Sequence, residues 1–253
     1  MDNIQIIILA AGKGTRMKSE LPKALTPLRG KPFLKHVLDA VHTMGLPRKP
    51  IVVVGHKKEL VIEALGSEQV FAMQEEQLGT GHAVRAAEKL IDPSVDTIVV
   101  LFSDQPLMKG ETILKLIAEH KKNTDAVMTM ATVELGDFSD WKEEAFDNFG
   151  RILRNPDGTI ARIVERKNVT EDEQKITEVN PAYFVFNAQW MWEKLRELKN
   201  DNSQGEYYLV DLPLLAFQEG SKIHDVPIDY KEALGANTKE QLELLERLSE
   251  EEK

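Results

Sequence analysis

Three observations in the sequence predict an α/β protein: a mostly parallel central sheet with helices on both faces. Short apolar runs at residues 4–9, 51–54 and 98–102 have the length and continuity of strands buried on both sides. The stretches after the first two of these runs carry apolar residues at helical spacing, as in Leu34, Val37, Leu38, Val41 and Met44. Strand, helix, strand, helix in that rhythm means crossover units, and crossover units build parallel sheets. Ligands of such sheets bind beyond the carboxyl ends of the strands.

A chain of 253 residues can bury a sizeable core. Its net charge of −10 argues against a general nucleic-acid surface, though not against a local basic pocket. There is no cysteine, so disulfides and thiolate metal sites are excluded. No stretch has the length of a membrane span, and the N-terminus lacks a basic segment followed by a long apolar one. The expectation is a cytoplasmic protein with neither nucleic acid nor membrane as partner.

The elements follow in order. The first strand, residues 4–9, runs into Ala10-Ala11-Gly12-Lys13-Gly14-Thr15-Arg16-Met17, and Leu21-Pro22-Lys23 comes soon after. Small residues let backbone N–H groups approach an anion, and Lys13, Arg16 and Lys23 carry the opposing charge, so a polyphosphate suits this loop. A P-loop is excluded by the Gly-Lys-Gly order, and a dinucleotide fingerprint by Arg16-Met17 where a third glycine belongs. Read alone, the stretch is equally a glycine-rich surface turn with its cations in water. Pro32 opens a helix that Gly45 ends. Residues 51–54 form a strand and 57–65 a helix.

Gln74-Glu75-Glu76-Gln77-Leu78-Gly79-Thr80-Gly81-His82 precedes a helical stretch at 83–90. Gln74 offers a donor and an acceptor, as reading a pyrimidine edge requires. A glycine turn capping a helix, with solvated glutamines, fits the same letters, and His82 reads as structural. Residues 96–102 end in Ser103-Asp104-Gln105-Pro106-Leu107. A carboxylate at the end of a central strand is placed for a hard metal ion, or simply starts a turn. A helix is expected at 113–120 and a strand at 125–133, then a polar excursion to Asn148 anchored by Trp141 and Phe146. Residues 149–165 make a hairpin around the turn Asn155-Pro156-Asp157-Gly158. A charged flap at 167–175, a strand at 178–186, a helix at 189–198 holding Trp190 and Trp192, an apolar helix to Phe217, a strand at 223–228 and a charged helix from Thr238 complete the chain.

The first loop with Leu21-Pro22-Lys23 resembles the signature of the sugar-1-phosphate nucleotidyltransferases. The wording is most similar to the uridylyltransferase half of the bifunctional N-acetylglucosamine-1-phosphate uridylyltransferase/glucosamine-1-phosphate acetyltransferases, from Ile6 to about Asn237. The resemblance implies a Rossmann-like nucleotidyltransferase fold with a smaller β-hairpin sugar-binding lobe. It implies one domain over 1–253: a nucleotide part at 1–133, a sugar part with closing strands at 134–237 and a C-terminal helix at 238–253. It implies UTP and a sugar 1-phosphate as substrates, Mg2+ as cofactor, and a monomer or small homo-oligomer. Arg16, Lys13 and Lys23 become the catalytic cations. Leu9, Ala10, Ala11, Gly12, Gly14, Gln74, Gly79, Thr80, Phe102 and Ser103 would hold the nucleotide. Gly150, Glu165, Asn180, Glu206 and Tyr208 would hold the sugar, and Asp104 and Asn237 the metal.

Two departures are visible. Ser103 stands where the family usually has glycine, a minor change. After Asn180 the family commonly has a small hydroxyl residue and glycine, whereas this chain has Pro181-Ala182-Tyr183. Pro181 lacks an N–H donor and Ala182 resists positive φ, at the place where the sugar's 2-substituent would sit. Hexapeptide repeats of the acetyltransferase β-helix are absent from the sequence, so neither that activity nor its trimerisation is expected. Other bases or acceptors on the same fold, including a cytidylyltransferase or molybdenum-cofactor guanylyltransferase, and a non-catalytic UDP-sugar sensor are the competing readings.

Overall fold

The computed structural model describes residues 2–12, 14 and 20–250. Strand β1 (Ile4–Ala10) is buried at all seven positions. A short ribbon, β2 (Pro27–Leu28) with β3 (Lys31–Pro32), leads to helix α1 (Phe33–Thr43). Pro32 sits at its N-cap, where the fixed φ of proline is helix-compatible and no N–H is lost from the ladder. Then come β4 (Ile51–Val54), α2 (Lys58–Leu65), β5 (Val70–Met73), α3 (Thr80–Ala86), β6 (Thr97–Phe102), α4 (Gly110–Lys122) and β7 (Ala126–Glu134). The polar excursion contains a short helix, α5 (Trp141–Phe146), with Trp141 5.6 Å from the Tyr230 ring and Phe146 fully buried. β8 (Gly150–Arg154) and β9 (Ile160–Val164) form the expected hairpin, closed by Gly158 N donating to Asn155 O. The charged run predicted as a flap holds two 3-10 turns; Glu173 accepts from Thr170 N within it and ties it to Arg162 outside it. β10 (Glu178–Asn180), β11 (Phe184–Asn187), α6 (Ala188–Leu195), α7 (Leu212–Gln218), β12 (Lys222–Pro227) and α8 (Lys239–Glu250) complete the described chain.

Among the described residues one sheet has ten strands, in the order β5-β4-β1-β6-β11-β7-β10-β8-β9, with β12 on β7. β5, β4, β1 and β6 are mutually parallel, and β12 is parallel to β7. β11 runs antiparallel between β6 and β7. Pleat alternation divides β1 between two cores. Ile7 and Leu9 pack with Val53, Val100 and the α3, α6 and α7 faces. Ile4, Ile6 and Ile8 pack with Val52, Leu101 and the α1 and α4 faces. Helices on both faces explain why the run is apolar at every position but Gln5. A third core gathers Phe33, Val133, Phe146, Val179, Leu234 and Leu245 beneath α8.

The strand expected at 178–186 is broken. β10 pairs Val179 with Val133 and β11 pairs Phe184 with Met130, so five steps on one strand match three on the other. The two extra residues form a bulge at Pro181-Ala182-Tyr183. Pro181 has no N–H to give to a ladder, and Ala182 adopts φ +65°, outside the extended region. Both pieces stay on the same edge of β7: Ala131 N donates to Tyr183 O at 3.0 Å and Leu135 N to Thr177 O at 3.2 Å. Beyond the bulge the segment pairs with β6, and before it with β8. One run of chain therefore joins the parallel sheet to the hairpin lobe.

Candidate active site

β1 is flanked by β4 on one side and β6 on the other, so the chain's winding reverses between β1 and β6. The crevice at such a reversal is where open α/β sheets bind ligands. A cavity of about 490 Å³ opens there. Leu9, Ala10, Ala11 and Gly12 line it from the end of β1, Phe102, Ser103 and Asp104 from the end of β6, and Gly14, Lys23, Gln74, Gly79, Thr80 and Glu206 from the surrounding loops. Lys13 and Arg16 lie outside the described residues.

The far wall is built by a turn that folds against residues 206–209. Tyr207 N donates to Leu78 O, Gly81 N to Tyr207 O, and Leu209 N to the Thr80 hydroxyl. Gly79 has φ +97°, and a Cβ there would sit 2.6 Å from Tyr207 O, so the contact requires glycine. Gln74 is buried, and its Nε2 donates to Gly79 O at 3.0 Å. That carbonyl can only accept, which fixes the amide's orientation and leaves Oε1 as an acceptor. His82 Nδ1 lies 3.2 Å from the same Nε2, so this histidine supports Gln74, in line with its structural reading.

A second cavity of about 220 Å³ adjoins the first and shares Phe102, Asp104 and Asn237 with it. Gly150, Glu165 and Asn180 line it, together with Gln105, Phe149, Pro181 and Ala182. Asn180 Oδ1 accepts from Ala182 N at 2.8 Å, which holds the positive-φ turn. Gln105 Nε2 donates to Pro181 O at 2.8 Å and to Ala233 O at 3.3 Å, bracing the bulge against the segment that leads to Asn237. The Glu165 carboxylate lies beside Gly150, 3.3 Å from where a Cβ would project. Glu206 lines the first cavity and not the second, because residues 206–209 are zipped to the Gly79 turn. Tyr208 lines neither; its hydroxyl donates to Gln204 Oε1 at 2.9 Å. Burial holds that phenol above its ordinary range, helped by the carboxylates of Glu206, Asp211 and Glu165.

The two cavities meet at a charged junction. Lys23 Nζ contacts Asp104 Oδ2 and donates to Asn237 Oδ1 at 2.5 Å. Lys23 belongs to a 3-10 turn following Pro22. Asp104 extends from β6. Asn237 is fixed by the start of α8, where Gln241 Oε1 accepts from Asn237 N and Thr238 Oγ1 from Gln241 N. Gly235 lets this segment press on the turn after β6, since a Cβ there would lie 2.7 Å from Asp104 O. A carboxylate and an amide oxygen converging on one cation form a donor set suited to a hard ion that keeps water and phosphate as its other ligands. Among the described residues no group of three or more His, Cys, Asp or Glu side chains is placed to hold a metal.

Sequence reasoning did not single out Gln77, whose Nε2 donates to Ala11 O at 3.1 Å from the wall of the first cavity. It also passed over Gln105, Asn148 and Phe149 of the second. Gln77 and Gln105 stand inside quoted motifs and were findable there. Nothing in their local sequence marks Asn148 and Phe149.

Residues 6–212 match the model of the MobA-like NTP transferase domain. The chain is similar to the bifunctional protein GlmU of Exiguobacterium sibiricum, 41% identical over 91% of this chain and 49% of that protein. It is also similar to that of Paraburkholderia phymatum, 42% identical over 97% and 52%. It thus spans about half the length of these curated relatives. Among solved structures, a CMP:2-keto-3-deoxy-manno-octonic acid synthetase complexed with CTP matches 99% of each chain with a TM-score of 0.70 and 16% identity, a likeness of fold. The chain is a nucleotidyltransferase domain and belongs to the MobA-like NTP transferase domain family.

Proposed function

We propose that the protein is a magnesium-dependent sugar-1-phosphate uridylyltransferase. It would convert UTP and N-acetylglucosamine 1-phosphate, or a related hexose 1-phosphate, into a UDP-sugar and pyrophosphate in the cytoplasm. The observation that carries this reading is the pair of adjoining cavities that share Asp104 and Asn237, with Lys23 at the junction. The larger suits a nucleoside triphosphate and the smaller a sugar.

In this reading a phosphate oxygen of the sugar phosphate attacks the α-phosphorus, and the bond to the β-phosphate oxygen breaks as pyrophosphate leaves. The nucleophile is already ionised near neutral pH, so no general base is required. Rate comes from positioning and from charge stabilisation at the reacting phosphorus. Lys23 lines the larger cavity and contacts Asp104 and Asn237, which both cavities share, and it would bridge the α-phosphate and the incoming phosphate. Lys13 and Arg16 would hold the β- and γ-phosphates. Asp104 and Asn237 would hold Mg2+, which supplies charge neutralisation when bound. Gln74 would read the base. Its Oε1 accepts from N3–H of uracil, whereas N3 of cytosine carries a lone pair that Oε1 repels. Glu165 and Asn180 would bond the sugar's hydroxyls.

Ala182 favours a second version, with a sugar other than N-acetylglucosamine. Ala182 lines the smaller cavity where the resembled family has glycine, and it carries a methyl group that glycine lacks. The test is pyrophosphate release with Mg2+, pairing UTP, CTP, GTP and dTTP with a panel of sugar 1-phosphates. Turnover with UTP and N-acetylglucosamine 1-phosphate supports the first version, and with UTP and another sugar the second. Turnover restricted to CTP or GTP would refute the uridylyl reading. Binding of UDP-sugar without turnover of any pair would make the protein a sensor.

A further inference from the structure

The ammonium group of Lys23 stands between the same two oxygens that would hold the metal, Asp104 Oδ2 and Asn237 Oδ1. The Lys23 side chain is 13% exposed, and its 3-10 turn packs Ala24 and Leu25 into the core beside β1. Its approach is therefore set by the backbone and not by a side chain loose in solvent. An ammonium and a divalent ion cannot both occupy contact positions on one carboxylate oxygen and one amide oxygen: they repel each other and compete for the same lone pairs.

We infer that Lys23 is the resident cation of the Asp104–Asn237 pair, and that a divalent ion enters only as the ammonium leaves. The displaced ammonium needs an anion within reach of its stem. Lys23 also lines the larger cavity, together with Ala10, Ala11 and Gly12, so the phosphates of a bound nucleotide would take it up. Metal entry and nucleotide entry are then coupled through one side chain. Without a nucleotide the site is closed to metal by its own lysine and keeps its carboxylate compensated. The inference rests on the nucleotidyltransferase reading of this site.

The test is Mn2+ affinity without nucleotide, read by electron paramagnetic resonance, for the wild type, Lys23→Met, Lys23→Gln and Lys57→Met. Lys57 is an exposed cation whose Nζ donates to Glu20 O rather than to Asp104 or Asn237, and it controls for the loss of one positive charge. Thermal melts confirm that each variant is folded. The expected result is a gain of about five-fold or more in Mn2+ affinity for both Lys23 variants, the lower end of typical coupling between sites, with no gain in Lys57→Met. Adding Asp104→Asn to Lys23→Met should abolish the gain. Unchanged affinity in both Lys23 variants overturns the exchange, as does an equal gain in Lys57→Met. Absence of Mn2+ binding in every variant overturns it as well. Pyrophosphate release by the wild type is measured separately, so a catalytically active protein whose Lys23 variants gain no metal affinity would refute the exchange and leave the uridylyltransferase reading standing.

Discussion

The two cavities are made in different ways. The larger lies at the ends of two adjacent parallel strands, and most of its wall comes from three short stretches: the loop after β1, the turn before α3 and the end of β6. The smaller is assembled from segments far apart in sequence: Gln105, the 145–150 corner, Glu165, the 180–182 bulge and the 233–237 segment. A wall drawn from contiguous residues carries its chemistry in a motif. A wall drawn from many segments carries it in how those segments are braced, and single substitutions can reshape it without touching the sheet.

The largest expected effect lies at the junction. Asp104→Ala should lower pyrophosphate release by about 10²–10³-fold, the usual loss when one stabilising group is taken from a reacting phosphorus or carbonyl. Both cavities should still bind their ligands. Turnover within a few-fold of wild type at saturating Mg2+ would sever the two sides from this residue.

Acidification should disable both sides together, because they share one frame. His120 is buried between α4 and β7, and burial, then Lys121, lowers its pKa to about 4. The unfolded chain takes up a proton near pH 6.5 and the folded one does not, so this histidine's stabilisation is complete above pH 6.5. It is lost as the pH falls towards 4, amounting to about 3 kcal/mol at most. Melting temperature should drop across that window, and His120→Gln should flatten the drop. If acid released the sugar phosphate while nucleotide binding persisted, the frame would not be shared.

On the nucleotide side alone, Gln74→Ala should cost about 10–100-fold in kcat/KM with UTP, one buried hydrogen bond of about 1–3 kcal/mol. The preference for UTP over CTP should narrow by a similar factor. An unchanged UTP:CTP ratio would remove Gln74 from base reading.

The smallest effect is expected on the acceptor side. Ala182→Gly relieves a left-handed backbone worth about 1–2 kcal/mol but adds about 0.4–1 kcal/mol of unfolded-chain freedom. The net gain in stability should be about 1.6 kcal/mol or less. A shift in sugar preference towards N-acetylglucosamine 1-phosphate would then report cavity shape rather than stability. No shift in preference would clear Ala182 of any role in acceptor choice.

These contrasts track what the sequence made legible. Parallel strands buried on both faces betray themselves as continuous apolar runs, so the frame and the loop after β1 could be read directly. Asp104 and Asn237 lie 133 positions apart, and only the resemblance joined them before the fold did. The placement of Glu206 in the larger cavity was hidden because it depends on backbone hydrogen bonds from Tyr207 to a turn more than a hundred residues away. The antiparallel β11 amid parallel strands was equally hidden, since an apolar run does not state its direction. The break at 181–183 was half legible: proline argued against a ladder bond, but only the register revealed two extra residues.

That count of two has a consequence for how such a chain can change over generations. Side chains on a strand alternate between faces, so one surplus residue would exchange the inward and outward sets of everything downstream. Two surplus residues restore the phase, and Phe184 and Phe186 still point into the same core as Met128 and Met130. The wall of the smaller cavity can therefore be lengthened or shortened in even steps while the sheet behind it stays in frame, leaving one end of the molecule open to change and the other held constant.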